Sequence, residues 1–351
     1  MRVRVALAAA TAAAATSVLA ARQAKDDIRG EVAVVTGASR GLGLLLAREL
    51  ARRGCPLVIC ARDAVELERA AEQLRAAGAD VTAVTCDVSE EAAAQRLVDT
   101  AVERYGRLDI VISNAGVIQV GPVENDDLGQ FETAFATMAL APVRLALAAL
   151  PVMRRQRHGR IVTIASIGGK VGVPHLVPYS TAKFAAVGFS EGLRAELGRG
   201  PVTVTTVVPG LMRTGSHVQA RFTGQAEKEF TWFSLGASLP LISMDAERAA
   251  RQIIDAVRGR RAEIILTPAG QVVSRVAGLA PSLTSDVAHL AQRLALPRPG
   301  GGDGGETPGY RLDPAMNSAV FSRLTALGRT AANRFNERRA STPAPPAQNE
   351  R

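Results

Sequence analysis

The chain has 351 residues, 47% of them apolar and 4% aromatic, enough for one large domain or two small ones around a substantial core. Its net charge of +9 sits mainly at the ends, with +3 over residues 1–29 and +4 over residues 317–351, so the 287 residues between hold only +2. That distribution argues against a basic nucleic-acid groove in the body of the protein, and no nucleic-acid partner is expected.

The first element is an apolar segment. After Met1-Arg-Val-Arg4 the chain runs from Val5 to Ala21 without a charge. A signal peptide, a membrane anchor, and a surface helix behind a displaced start codon all remain open. As a helix, these 17 residues would span only about 25 Å, short of the ~30 Å of a bilayer core. Basic ends suit an anionic membrane surface or simple solvation, and residues 1–29 are carried forward as a membrane-associating segment.

From Glu31 onward the pattern alternates. Apolar, β-branched runs predict strands at 31–36, 57–61, 81–85, 108–113, 160–165, 202–207 and 262–266. Helical periodicity fills 41–53, 63–77, 89–105, 127–156, 178–198 and 245–258. Strands alternating with helices predict a Rossmann-type α/β fold, a doubly wound parallel sheet of about seven strands with helices on both faces. Continuous apolar strands such as Val32–Val35 fit burial on both sides. Ligands in such a sheet bind at the carboxyl ends of the strands. This catalytic domain is expected to span 30–296. Residues 297–316, which include Pro-Arg-Pro-Gly-Gly-Gly-Asp-Gly-Gly, read as a flexible linker. Residues 317–351 read as a basic tail that includes a short amphipathic helix over 317–336. Cys55, Cys60 and Cys86 show neither metal nor disulfide spacing and fit reduced core thiols in an intracellular, cytoplasmic setting. No metal site is expected.

The first strand ends in Thr36-Gly37-Ala38-Ser39-Arg40-Gly41-Leu42-Gly43 and runs straight into a helix. Glycine permits a sharp turn and close approach to a pyrophosphate, and the helix N-terminus offers free N–H groups to it. An ordinary tight turn would look the same in isolation. The later motifs discriminate: Cys86-Asp87-Val88 after the third strand, Ser113-Asn114-Ala115-Gly116 after the fourth, and Pro209-Gly210-Leu211-Met212-Arg213-Thr214 after the sixth. Together with the GxxxGxG spacing, these resemble the short-chain dehydrogenase/reductase family over roughly residues 30–266.

The resemblance implies a nicotinamide dinucleotide contacting Gly37, Ser39, Arg40, Gly41, Leu42, Gly43, Arg62, Asp87, Val88, Asn114, Ala115, Gly116, Pro209, Gly210, Met212 and Thr214. Leu57 to Arg62 ends without a carboxylate at the strand tip, where an acid would bind the ribose hydroxyls of NAD. Arg40 and Arg62 can instead bind a 2′-phosphate, so NADP(H) is expected over NAD(H). The alternative is that Arg62 pairs with Asp63 or Glu66.

Tyr179 and Lys183 are four residues apart on one predicted helix and share a face. A nearby ammonium favours the phenolate and makes a phenol a usable proton donor and acceptor. This is similar to the family's YxxxK, whose Lys also binds the nicotinamide ribose, with Ser166 thirteen residues upstream to orient the substrate oxygen. One position departs from the family. Met138 stands where the family has an Asn that fixes a helix irregularity and a water feeding protons to the Lys, and a thioether cannot donate. Proton delivery is then rerouted, with Thr137 beside it as one route, or slowed.

Residues 215–243 fall at the family's variable substrate lid. They hold Phe222, Phe230, Trp232, Phe233, Leu235, Leu239, Leu241 and Ile242. An apolar lid suits a small lipophilic carbonyl or alcohol, unless these side chains only pack the lid or an oligomer contact. Val171, Val173, His175 and Leu176 precede Tyr179 and border the same mouth. The resemblance also implies a homo-oligomer. The expected activity is interconversion of a carbonyl and an alcohol; the competing reading is a catalytically weakened nucleotide-binding regulator, favoured only by Met138.

Overall fold

A computed structural model describes residues 27–240, 242–300, 305–313 and 318–338. The whole apolar run over residues 5–21, residue 241 and the chain end beyond 338 lie outside the described residues. The seven central strands are β1 (Ala33–Thr36), β2 (Leu57–Ala61), β3 (Val81–Thr85), β4 (Ile110–Ser113), β6 (Gly159–Ile164), β7 (Val202–Val208) and β11 (Glu263–Ile265). They form one parallel sheet in the order β3-β2-β1-β4-β6-β7-β11. All seven coincide with the apolar runs of the sequence.

Burial explains the central strands. Every residue of β1, β4 and β6 is buried, because helices cover both faces. One face packs Val35, Ile59 and Ile112 against Leu46 and Leu50 of α1 (Gly41–Arg52) and Ile253 of α8 (Ala246–Arg258). The other packs Val34, Val58 and Val111 against Leu97 and Val98 of α3 (Ala93–Tyr105) and Leu145 of α5 (Ala141–Gln156). Full burial of each such side chain contributes roughly 1.5–3 kcal/mol. Between β2 and β3 runs α2 (Ala64–Ala76), whose first turn is capped by the Asp63 carboxylate accepting from the Glu66 amide at 3.0 Å.

The strand order places β1 between β2 and β4, so the crossovers leave in opposite directions on either side of it. A crevice opens there at the carboxyl ends of the strands. Segments leaving those ends build two small sheets: β8 (Met212–Arg213) with β10 (Met244–Asp245), and β5 (Gln119–Val120) with β9 (Arg221–Phe222) and β12 (Thr307–Pro308). After β11 the chain continues through α9 (Pro268–Leu279) and α10 (Pro281–Ala295).

Two segments differ from expectation. The run 127–156 is three pieces: α4 (Leu128–Phe135), a π turn over Ala136–Leu140, and α5. Together Leu128–Gln156 is long and apolar enough to cross a membrane, but half of its most apolar window is buried against the domain, as in a core helix. Within the expected linker, residues 305–313 include β12 and α11 (Gly309–Leu312). Glycine there serves close packing: the Gly309 amide donates to the Ala220 carbonyl at 2.8 Å, and a Cβ would strike the His217 carbonyl. The amphipathic stretch folds as α12 (Ala319–Leu324) and α13 (Ala326–Arg334), with Phe321, Ala331 and Phe335 buried in the body of the protein.

Candidate active site

The Gly-rich turn lies at the crevice. Gly37 has φ +64°, and a Cβ there would stand 2.7 Å from the Ala115 Cα, so both the turn and its neighbour require glycine. A Cβ on Gly43 would strike the Gly37 carbonyl, so the helix start presses directly on the strand end. Asn114 braces the turn from β4. Its Nδ2 donates to the carbonyls of Thr36 and Gly37 at 3.0 and 3.2 Å. The Thr36 hydroxyl accepts from the amides of Asn114 and Ala115 at 2.9 and 3.1 Å. The result is a rigid concave backbone opening at the N-terminus of α1, suited to a dinucleotide phosphate.

The two expected phosphate-binding guanidiniums already have carboxylate partners. Arg40 reaches Glu66 at 2.6 Å and Glu337 at 3.5 Å. Arg62 reaches Asp87 at 3.6 Å, not Asp63 or Glu66. Burial opposes the charge on Asp87, but the Ser89 amide and hydroxyl, with Arg62, outweigh it and hold the carboxyl below its usual range. Val88, which follows Asp87, is partly buried against the core on the α3 side of the sheet.

On the far side, α6 (Val177–Leu197) packs its first turns onto a tight turn over Ile167–Gly169. A Cβ on Gly169 would stand 2.5 Å from the Lys183 carbonyl, which fixes that close approach. The Ile167 amide donates to the Pro209 carbonyl at 2.8 Å, linking the Ser166 turn to the Pro209–Gly210 segment. Ser166, Tyr179 and Lys183 are thereby brought together. The Ser166 hydroxyl hydrogen-bonds Tyr179, and the Lys183 Nζ lies 5.7 Å from the Tyr179 ring centroid. That ammonium donates to the Ile164 carbonyl at 2.7 Å. Burial pushes the Tyr179 phenol up, against the opposing Ser166 hydrogen bond, and brings Lys183 down to about 8. A phenol and a hydroxyl, both partly buried, beside a buried lysine brought down to about 8 can hold and pass a proton.

Met138 is the centre of the π turn. Its side chain is 1% exposed and packs with Ala134, Ala182, Val117 and Tyr179. A Cβ on Gly116 would lie 3.3 Å from its sulfur. The irregularity therefore persists without an Asn, and an apolar plug fills the space. Insertions of this kind are often found at functional sites. Met138→Asn is expected to raise kcat if the missing amide limits proton delivery. It should also lower stability by about 1–3 kcal/mol, through lost apolar burial and a buried amide. Steady-state kinetics with a thermal melt reads both; an Asn variant no faster than wild type sinks the impaired-relay idea.

The lid differs from its sequence reading in what its aromatics do. Phe222, Phe230 and Phe233 are buried with Val120, Leu176, Leu312 and Phe321, so they hold α7 (Ala226–Ser238) onto the domain. Trp232, Leu235, Val173 and Ile118 are only partly buried and, like Tyr179, pack against this same cluster. A polar latch sits among them. The Glu229 carboxylate accepts from the His175 Nδ1 at 2.9 Å and the Trp232 Nε1 at 2.6 Å, and the Glu229 and His175 side chains are both buried. His175 itself takes φ +61°. It joins the loop before Tyr179 to the lid.

Thr214, 4% exposed, closes the crevice opposite Gly41, and its hydroxyl accepts from the Ser216 amide at 3.2 Å. Met212 is fixed beside it by β8.

The fold and these motifs agree with comparisons to known proteins. The short chain dehydrogenase family profile matches residues 31–223. The chain belongs to this family. It is 38% identical over 217 residues to the granaticin polyketide synthase putative ketoacyl reductase 1 of Streptomyces violaceoruber, covering 60% of this chain and 79% of that one. Among solved structures, a short-chain dehydrogenase/reductase from Burkholderia phymatum in complex with NAD superposes with a TM-score of 0.67 at 27% identity, covering 73% of this chain and 96% of its own. The actinorhodin polyketide ketoreductase with NADPH gives 0.60 at 30% identity, covering 68% and 95%. This short-chain dehydrogenase is therefore an NAD(P)-dependent oxidoreductase acting between alcohol and carbonyl groups.

Proposed function

We propose that the protein interconverts a lipophilic carbonyl compound and its alcohol using NADP(H), with Tyr179 as general acid and base. The observation that carries this is the meeting of Tyr179, Ser166 and Lys183 at the carboxyl end of β6, across the crevice from the Gly-rich turn. Gly37, Gly41, Leu42, Gly43, Asn114, Ala115, Gly116, Pro209, Gly210, Met212 and Thr214 would hold the dinucleotide; bound there, it supplies or accepts a hydride. Ser166 orients the substrate oxygen by hydrogen bonding. Tyr179 gives or takes the proton at that oxygen, and the Lys183 ammonium favours its phenolate.

Arg40 and Arg62 support the NADP(H) preference. Both remain partly exposed at the crevice, and a guanidinium can exchange a carboxylate for a phosphate. Trp232, Leu235, Val173 and Ile118, partly exposed around the same cluster that Tyr179 packs on, support an apolar substrate. The partner in solution is a second copy of this chain, since Phe135 and Leu140 are exposed in a groove lined also by Phe131 and Pro178. A cytoplasmic setting, with the basic termini at a membrane surface, completes the reading.

The test is initial rates with NADPH and NADH against a panel of lipophilic ketones. NADPH should be favoured at least about tenfold in kcat/KM, and Arg62→Ala should remove most of that ratio, since a lost charge-assisted bond is worth about 1.5–3 kcal/mol. Equal use of both cofactors would overturn the NADP(H) reading; binding without turnover of any ketone would favour a regulator.

A further inference from the structure

The last described residues of the chain are docked on the Gly-rich turn. The Gly41 amide, at the first helical position of α1, donates to the Phe335 carbonyl at 2.8 Å. The Asn336 Nδ2 donates to the Ser39 carbonyl at 3.2 Å, and its Oδ1 accepts from Gln73 at 3.2 Å. Glu337 is 4% exposed; its carboxylate faces Arg40 and stands where a Cβ on Gly41 would be. Its backbone carbonyl accepts from Gln219 Nε2 at 2.6 Å. Phe335 anchors the segment at 2% exposure in the same core as α1, and Ala332 of α13 lies against Gly215.

These are the groups an anion would use. A helix N-terminus after the first strand, with an adjacent guanidinium, attracts negative charge. Here a carbonyl oxygen takes the first N–H and a carboxylate faces the guanidinium. Arg40 and Glu66 are the charged groups that act on Glu337, and burial outweighs the Arg40 attraction and raises its carboxyl to about 7, so the docked carboxyl is poorly solvated.

We propose that residues 335–337 mimic the dinucleotide's anionic groups and occupy their cradle, so that cofactor binding requires the C-terminal segment to undock. This rests on the reading of the Gly-rich turn as the dinucleotide site. The docked segment is then a competitive intramolecular ligand, and the apparent dinucleotide affinity is reduced by the fraction of molecules with the segment in place. Release also frees Arg40 from one of its two carboxylates.

The test compares the full chain, Asn336→Ala, and a chain ending at Arg334, each titrated with NADPH and with NADH by nucleotide fluorescence. Asn336→Ala removes only the bonds to the Ser39 carbonyl and to Gln73 and keeps the fold even if the shortened chain does not. Both altered chains should bind NADPH tighter, by about tenfold if the docked state is favoured ten to one. In the full chain, saturating NADPH should speed amide hydrogen exchange over residues 326–337 while slowing it at the Gly-rich turn. Unchanged or weaker binding by the variants, or added protection of 326–337, would overturn the proposal by making the segment a neutral or integral part of the site. Failure of all three chains to bind either dinucleotide would overturn the cofactor reading as well, which separates it from binding without gain.

Discussion

Tyr179→Phe is expected to lower kcat by about 10²–10⁴-fold, the usual range for a positioned general acid or base. The ring stays in place, because it packs against the cluster of Ala134, Met138 and Ala182. Only the hydroxyl bond to Ser166 is lost, worth about 0.5–1.5 kcal/mol, so the melting temperature should move little. The comparison is decisive when kcat, NADPH binding and the thermal melt are measured on one preparation. A variant that stays folded, binds NADPH and keeps most of its turnover would remove Tyr179 from the chemistry. The pH profile adds a check. Lys183 sits at about 8 before cofactor binds, so its charge is present below that value and lost above it. Its support of the phenolate should therefore fade in kcat/KM as pH rises through that region.

Gly43→Ala should abolish measurable dinucleotide binding or weaken it on the order of 100-fold, equivalent to about 2.7 kcal/mol. The added methyl would meet the Gly37 carbonyl, the Gly37 carbonyl carbon and the Asn114 amide, none of which is a loose side-chain end. Either the turn shifts or the helix start does, and overpacking of this kind typically costs about 1–3 kcal/mol of stability. Gly192→Ala is the control. It lies on α6 with nothing within 4 Å of where the new methyl would stand, and should stabilise by up to about 1 kcal/mol. Isothermal titration with NADPH and chemical denaturation measure both quantities. Normal affinity in the Gly43 variant would mean that the turn does not form the cradle.

The sheet was legible because its signal is local: β-branched runs buried on both faces leave little freedom in reading, and every central strand falls where such a run lies. Ser166, Tyr179 and Lys183 were legible because their spacing matches the family and one helix turn joins two of them. The π turn was not legible. Residues 127–156 keep an unbroken helical periodicity, and one inserted residue shifts it too little to register beside Met138. The C-terminal packing was hidden by composition. Glycines at 305–309 look like flexibility, yet Gly309 is there so that two backbones can touch. The lid aromatics were visible, but whether they face substrate or core depends on partners as distant as Leu312 and Phe321. The His175–Glu229 latch and the Asn336–Ser39 contact join residues 54 and 297 positions apart, so no short-range pattern announces them.

The pairing of β12 with β9 has a practical side. Phe222 and Phe230 are fully buried, and Leu312 and Phe321 from beyond the Gly-rich stretch complete their surroundings. A version of the protein cut at residue 296, where the sequence alone would draw the domain's end, would expose an aromatic patch and an unpaired strand edge together. Such surfaces self-associate. Recombinant material of that length should therefore be prone to aggregation even though its whole parallel sheet is intact.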